Sequence, residues 1–352
     1  MIDHIDYSQY ASWSFCPWQW YEKYVLRRRK RWPEGLREDA LAIGSLVHAG
    51  LENWYAHNAV EIPQKEIDKL GPTPEALGLC RRLVYGYVNT YPKEQWYLIR
   101  CEQPLRFDLI EGKNGLAKID LYFYIATPTV VESGIAGYEI TLKPGWWIQE
   151  YKTKSAATST ADFMKEWVNK MQADFQLLAL QHYLQTSEWW RNEDHRAVNG
   201  LLVNVIEKPR EYVPKRKCKG CGEYWNYSAW LQKMDAQKAG EFVCPGCRHQ
   251  QKLKPVDGEK FQEPSYFRMV VERTPEQLAN SKHDIEKIAV AMQNMEEYGF
   301  DSVAPMKEHC FDNSRRWGKE CDFFRPHTYG ISTLNNNEYE EMEDYINEPT
   351  VG

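Results

Sequence analysis

The first part of the chain has apolar residues at the spacing of α-helices. This spacing predicts helices over residues 8–25, 39–55 and 73–89. Ser8 is a candidate N-cap for the first helix, and Pro74 suits the first turn of the third. The chain is therefore expected to begin with a run of helices.

The apolar spacing then changes to that of β-strands. It predicts strands over residues 96–107, 116–125 and 145–152. A helical pattern follows over residues 161–185, and an apolar run over residues 200–206 predicts a buried strand. This order predicts a mixed α/β fold in which helices flank a small mixed sheet.

A basic, cysteine-containing segment at residues 208–263 interrupts this pattern. The core is expected to resume with a strand at residues 265–271 and then a helix. Thr274 is the predicted N-cap of that helix, and Gln277 completes a capping box. The end of the chain is polar and acidic, which predicts a flexible tail. The expected domains are a core of residues 1–207 and 264–330, an insertion at 208–263 and a tail at 331–352.

The composition is that of a globular protein, with 43% hydrophobic residues and a formal net charge of −6. This charge argues against a globally basic, histone-like binder, but DNA can still be held by local basic patches. Two patches are present, and their candidate DNA contacts are Arg28, Arg29, Lys215 and Lys217. The alternative for each patch is a solvated loop.

The chain has neither an apolar run long enough to span a membrane nor a recognisable secretory signal. Its nine cysteines include C-x-x-C pairs, which favour metal binding in a reducing compartment over disulfides. The expected location is the cytoplasm of a prokaryotic cell or a phage-infected host.

Glu150 and Lys152 form an acid–lysine pair in the predicted strand over residues 145–152. Because side chains alternate along a strand, the two are expected to point to the same face. The acid can hold a divalent cation, and the lysine can orient an attacking water or stabilise charge on phosphorus. A structural ion pair is the alternative, since E-x-K is a common tripeptide.

Asp120 lies in an otherwise apolar strand, where a buried carboxylate is costly unless it is paired or binds a metal. Asp120 and Glu150 are therefore candidate ligands of one Mg²⁺ or Mn²⁺ ion, since both cations favour oxygen donors. His48 follows Gly44 by one helical turn, and its imidazole is a third candidate ligand. The alternative is that His48 is a structural residue of an amphipathic helix.

These residues, in this order, resemble the RecB-type nuclease domain of the PD-(D/E)XK superfamily. The matching stretches are the G-x-x-x-H pattern at Gly44 and His48, Asp120 in its strand, and the E-Y-K-T segment with Glu150 and Lys152. The resemblance implies a metal-dependent phosphodiester hydrolase with a restriction-endonuclease-like α/β core. It implies catalytic roles for His48, Asp120, Glu150, Lys152 and Gln176.

Gln176 matches the glutamine of the family's Q-x-x-x-Y motif, but Leu180 stands where the motif has tyrosine. Tyr183 lies one turn further along the predicted helix and is a candidate DNA contact. Ala117 also replaces a glycine that is often found three residues before the aspartate. These departures leave the role of Tyr183 open but not that of Gln176.

Two C-x-x-C pairs in the insertion predict a structural Zn²⁺ site with four thiolate ligands. The ligands are Cys218, Cys221, Cys244 and Cys247. Such a zinc ribbon either contacts nucleic acid or only stabilises the insertion.

Cys16 and its neighbours look like the N-terminal cysteine segment of the superfamily's iron–sulfur branch, which includes the AddB nuclease and the CRISPR-adaptation nucleases. The resemblance implies a [4Fe–4S] cluster held by Cys16 together with Cys310, Cys321 and, in place of a third C-terminal cysteine, His327. The alternative is that the cluster has been lost and the cysteines are buried thiols.

The leading functional hypothesis is a DNA exonuclease acting on single strands or processed ends in recombination, repair or phage replication. A structure-specific endonuclease is the alternative among enzymes. From other classes come a nuclease-derived DNA-binding protein that no longer cleaves and a zinc-ribbon adaptor. The expected partners are DNA and recombination or replication proteins.

Overall fold

The computed structural model describes residues 2–30, 38–92, 94, 96, 98–155, 159–187, 198–209, 215–222, 224–226, 241–243, 247–252, 263–299, 321–323, 326 and 339–341. The chain forms two compact units. The first comprises Met1–Thr153, Thr160–Ile206 and Tyr266–Gly352, and the second comprises Lys154–Ser159 and Glu207–Ser265.

The helices and strands follow the predicted order, with additions. The helices are α1 (Tyr7–Phe15), α2 (Pro17–Trp20), α3 (Glu38–His57), α4 (Gln64–Leu70), α5 (Pro74–Thr90), α6 (Thr160–Val168), α7 (Met171–Thr186) and α8 (Pro275–Tyr298). The strands are β1 (His4–Asp6), β2 (Arg28–Lys30), β3 (Leu98–Ile110), β4 (Lys113–Ile125), β5 (Thr129–Glu132), β6 (Glu139–Leu142), β7 (Gly145–Ser155), β8 (Val198–Lys208), β9 (Lys215–Lys217), β10 (Tyr224–Asn226), β11 (Glu241–Val243), β12 (Gln250–Lys252), β13 (Ser265–Glu272) and β14 (Tyr339–Glu341).

The first helical segment differs from its prediction at its start and in its interior. Asp6, not Ser8, is the N-cap of α1, because the Asp6 carboxylate accepts the backbone N–H of Gln9 at 2.7 Å. The segment is also broken at Cys16, whose backbone is extended, and continues as α2 and a π-helical turn at Tyr21–Val25. The Cys16-Pro17 dipeptide predicts a kink within this segment, and the break falls there, although all of the pieces bury aromatic residues against the same core.

Other helix ends agree with the predicted capping. Thr73 caps α5, with Pro74 in the first turn. Thr274 and Gln277 form the predicted capping box of α8. The predicted long helix over 161–185 is instead two helices, because the extended backbone of Lys170 separates α6 from α7.

A mixed sheet forms the centre of the first unit, and this confirms the predicted fold class. The strand order is β1-β4-β7-β8-β13, and β3 pairs with β4. β1 is parallel to β4, whereas β3 and β7 are antiparallel to β4. The short β5–β6 hairpin was not predicted.

Helices pack on both faces of this sheet and bury two hydrophobic clusters. One cluster joins the sheet to α7 and α8, through residues such as Phe175 and Met292. The other joins it to α3 and α5, through residues such as Leu51 and Leu83. The sheet is therefore the middle layer of three, and side chains at its edge can be reached from either helical layer.

The acidic tail contributes one strand to the first unit. β14 pairs with β2 in antiparallel register, with Glu340 opposite Arg29. The sequence analysis assigned no strand to these three tail residues, and the rest of the tail lies outside the described residues, so its flexibility stays a prediction. Within the part of the chain that the structure describes, no helix is both long and apolar enough to cross a membrane.

Candidate active site and cysteine clusters

Asp120 lies where strands β4 and β7 separate. The β4–β7 ladder runs from Ile125 opposite Gly145 to Leu121 opposite Gln149 and stops one residue before Asp120. The backbone N–H of Tyr151 donates to Asp120 Oδ2 at 2.9 Å. A side-chain carboxylate thus takes the place of a ladder partner, which explains why an acid is tolerated in this apolar strand.

The alternation of side chains along β4 also changes at Asp120. Ala117 and Ile119 face the cluster beneath α7, whereas Leu121 and Phe123 face the cluster beneath α3. The odd-numbered residues thus switch faces across Asp120. A regular strand would keep them on one face, so the backbone is irregular at this residue.

His48 is brought to Asp120 by α3. Its neighbours Leu46, Val47 and Leu51 are fully buried in the cluster on that face of the sheet, which orients the helix. His48 Nδ1 lies 3.3 Å from Asp120 Oδ1. The predicted meeting of the histidine and the aspartate is present in this geometry.

Glu150 is buried and both of its carboxylate oxygens are engaged. Lys152 Nζ lies 2.5 Å from Oε1, so the two residues share a face of β7 as predicted. From α7, Gln176 Nε2 donates to Oε2 at 2.6 Å, and Gln172 Nε2 donates to Oε1 at 2.8 Å. The carboxylate is thereby held in one orientation.

The charges of these groups shift one another's pKa values. Burial alone would raise the pKa of Asp120, but His48, Lys152 and the backbone N–H of Tyr151 together lower it to about 2. Burial alone would lower the pKa of His48, but the carboxylates of Asp120 and Glu150 together raise it. Burial and nearby Asp120 raise the pKa of Glu150, against the opposing effect of Lys152. Burial would lower the pKa of Lys152, but Glu150 raises it.

Two residues of this region were missed by the sequence analysis. Gln172 precedes Gln176 by one helical turn, and that spacing was the only available signal for it. Glu102 lies on β3, where the ligand atoms of His48, Glu102 and Asp120 are all within 4.8 Å of one another. Glu102 was overlooked because nothing in its local sequence distinguishes it from an ordinary exposed acid.

The residues proposed for DNA contact lie in different settings. Arg28 is partly buried and its Nη1 is 3.1 Å from Glu22 Oε2, whereas Arg29 is exposed. Lys215 and Lys217 belong to β9, and their side chains lie outside the described residues. Their contact with DNA stays a prediction.

The structure shows how the chain uses Leu180, the residue that replaces the tyrosine of the family's Q-x-x-x-Y motif. Leu180 is fully buried in the cluster beneath α7, so the position of the family's tyrosine is used for core packing. Tyr183 is only partly buried, and its ring centroid lies 6.2 Å from that of Tyr122. A contact between Tyr183 and DNA stays a prediction.

Three of the four predicted zinc ligands converge in the second unit. The sulfur atoms of Cys218, Cys221 and Cys247 are within 4.8 Å of one another, and Cys218 Sγ lies 3.6 Å from Cys247 Sγ. The backbone N–H of Gly220 points to Cys218 Sγ at 3.3 Å. Cys244 lies outside the described residues.

Two of the proposed iron–sulfur ligands come together although they are far apart in the sequence. Cys16 and Cys321 are both buried in one small cluster with Phe323 and Tyr339. The backbone N–H of Asp322 donates to Gln19 Oε1 at 3.1 Å, which joins the same two ends of the chain. The other two proposed ligands lie outside the described residues, namely Cys310 and His327.

Residues 4–102 match the family model of the PD-(D/E)XK nuclease superfamily. The matched span makes up less than half of the chain and contains α3 with His48. The chain is also similar to a crystal structure of a candidate exonuclease from Eubacterium rectale. That match has 10% sequence identity and a TM-score of 0.40, and covers 84% of this chain and 82% of the other. No curated protein matches the sequence.

Proposed function

We propose that this protein is a divalent-metal-dependent deoxyribonuclease, and that it acts as an exonuclease on single-stranded or processed DNA ends. The observation that carries the proposal is that His48 and Asp120 converge at the point where β4 and β7 separate. The ion pair of Glu150 and Lys152 lies beside them. This arrangement is a metal-ligand set placed next to a cation, and its histidine lies in the span that matches the PD-(D/E)XK nuclease family model.

The residues of the site fit the divalent cation that the family implies. Imidazole nitrogen and carboxylate oxygen are donors that suit Mg²⁺ or Mn²⁺, and His48, Asp120 and Glu150 would hold the ion. When bound, such an ion lowers the pKa of a coordinated water and neutralises charge on the phosphate undergoing cleavage.

The chain's own groups supply the orientation that the reaction needs. Lys152 is kept protonated by Glu150 and Asp120, so it is available to stabilise negative charge on phosphorus. Gln172 and Gln176 hold the Glu150 carboxylate and limit its rotation. Gln176 is 2% exposed and its Oε1 has no partner among the described residues, which leaves it able to accept a hydrogen bond from water or substrate.

Purified full-length protein incubated with end-labelled DNA tests the function. We expect Mg²⁺ or Mn²⁺ to support stepwise shortening of linear single strands, and EDTA to abolish it. Covalently closed circular single strands should stay intact because they have no ends. Cleavage of the circles would favour the endonuclease alternative, and metal-independent DNA binding with no cleavage of any substrate would favour a non-cleaving adaptor.

We further propose a structural Zn²⁺ on Cys218, Cys221, Cys244 and Cys247, and an iron–sulfur cluster that includes Cys16 and Cys321. Support comes from the three converging thiols in the second unit and from the buried contact between the two ends of the chain.

Elemental analysis of protein purified without oxygen tests both metals. We expect about one zinc per chain, lost in a Cys218→Ser/Cys244→Ser variant, because a structural site needs its full set of four ligands. We expect iron and a brown colour that Cys16→Ala removes without loss of zinc. Zinc that persists in the double variant, or a colourless preparation without iron, would contradict the corresponding assignment.

A further inference from the structure

Glu102 occupies an unusual position opposite the central aspartate of the candidate active site. On β3 and β4, Cys101 pairs with Leu121 and Gln103 pairs with Ile119, so Glu102 lies directly across from Asp120. Its backbone has a φ of +49°, in the left-handed region that residues other than glycine seldom adopt. Such a conformation is strained and persists only where the surrounding structure enforces it.

The resulting arrangement places like charges together. Directly opposed acids on neighbouring strands destabilise a sheet. Burial and nearby Asp120 raise the pKa of Glu102, and Lys118 opposes both effects. Lys118 Nζ lies 2.6 Å from Glu102 Oε2, but the lysine side chain is 58% exposed and is therefore a partly solvated partner. Lys118 and the imidazole of His48, 3.3 Å from Asp120 Oδ1, are groups that offset this repulsion in part.

The groups around Asp120 divide into two sets. Glu150 has both oxygens occupied by Lys152, Gln172 and Gln176, as described above. Glu102 has a ligand atom that converges with those of His48 and Asp120 to within 4.8 Å, and this group includes an imidazole as well as two carboxylates. Such a mixture of nitrogen and oxygen donors is a ligand set for a divalent cation, not merely a patch of acids.

We infer that Glu102 is a further ligand of the divalent cation at the candidate nuclease site, together with His48 and Asp120. This inference rests on the proposed function for the role of the cation, but it concerns where the cation binds. A bound cation between Glu102 and Asp120 turns their repulsion into attraction. It therefore provides a reason for the left-handed backbone at Glu102 and for the acid that faces Asp120.

Binding of Mn²⁺ to the full chain tests the inference without relying on activity. Free Mn²⁺ is followed by its electron paramagnetic resonance signal during titration in the absence of DNA. We expect Glu102→Gln to raise the dissociation constant by about tenfold or more, as loss of groups that support metal sites generally does. Asp108→Asn, an exposed acid on the same strand, should leave binding unchanged.

The Lys118→Met variant tests whether Glu102 is a metal ligand or only the ion-pair partner of Lys118. If Glu102 only forms an ion pair with Lys118, replacing either residue should change the Mn²⁺ affinity by the same amount. If Glu102 is a ligand, Lys118→Met should bind Mn²⁺ at least as tightly as the unmodified protein, because a competing cation is gone. Without added divalent cation, Glu102→Gln should melt at or above the temperature of the unmodified protein, because a like-charge repulsion is removed.

Three results would overturn the inference. One is unchanged Mn²⁺ affinity in Glu102→Gln, and another is a loss of Mn²⁺ affinity in Lys118→Met equal to that in Glu102→Gln. The third is a lower melting temperature of Glu102→Gln than of the unmodified protein when no metal is added. Asp120→Asn distinguishes this failure from failure of the proposed function. If Asp120→Asn loses Mn²⁺ binding and cleavage while Glu102→Gln keeps both, only the role of Glu102 is wrong. If Asp120→Asn still binds Mn²⁺ and cleaves DNA, the proposed active site itself is wrong.

Discussion

Replacing Asp120, Glu150 or Lys152 by Asn, Gln or Met, respectively, is expected to reduce DNA cleavage by on the order of 10³-fold or more. Each replacement keeps the approximate size of the side chain and removes its charge from a buried site. A metal ion and its electrostatic partners supply several kcal/mol of transition-state stabilisation, and each 1.36 kcal/mol corresponds to tenfold in rate. Initial rates on end-labelled DNA at saturating Mg²⁺ measure the effect.

The same variants should keep the fold, so loss of rate can be assigned to chemistry. Circular dichroism and thermal melting without added metal are the checks. Asp108→Asn serves as the matched control, because it removes an exposed acid from β3. Cleavage at the rate of the unmodified protein by Glu150→Gln would show that the catalytic carboxylate lies elsewhere.

Replacing Arg268 by Met is expected to lower the free energy of unfolding by about 3–5 kcal/mol, since it leaves a largely buried carboxylate without its partner. Arg268 is almost fully buried on β13, and its Nη1 lies 2.6 Å from Glu94 Oε1. The guanidinium also donates to Asn204 Oδ1 and Tyr87 OH, and its centre lies 3.7 Å from the Tyr91 ring centroid. Urea denaturation followed by tryptophan fluorescence gives the change.

Two further variants test this explanation. Arg106→Met removes an exposed arginine whose Nη1 lies 3.6 Å from Asp3 Oδ2. This surface ion pair should contribute no more than about 1 kcal/mol to the free energy of unfolding. Adding Glu94→Gln to Arg268→Met should restore part of the lost stability, because the unpaired carboxylate is removed. If Arg268→Met and Arg106→Met lowered the free energy of unfolding equally, the buried ion pair of Arg268 and Glu94 would have no special role.

The Arg268 network also explains how β7 is supported behind the site. Tyr87 OH accepts a hydrogen bond from Gln149 Nε2 at 3.2 Å, and Gln149 donates to Tyr151 OH at 2.6 Å. Gln149 and Tyr151 flank Glu150 in the chain. Polar contacts on one side of β7 thus help to hold Glu150, whose carboxylate belongs to the candidate active site on the other side.

Much of the fold was determined by local patterns in the sequence. The change of apolar spacing predicted the helices and strands around the sheet, and the capping residues predicted the starts of α5 and α8. Asp120 was identified because an acid in an apolar strand is costly without a partner. Glu150 and Lys152 were identified because strand residues two apart share a face. These inferences need only the neighbours of a residue in the chain.

Only the tertiary structure decided which distant groups meet. Glu102 faces Asp120 because β3 and β4 pair in one register and the backbone of Glu102 is left-handed. Arg268 reaches Glu94 because the fold brings β13 beside the end of α5. A pattern of period two or 3.6 carries no information on such pairings. They depend on strand register and on the packing of elements far apart in the sequence, and a shift of one residue in a strand would turn its side chains to the other face.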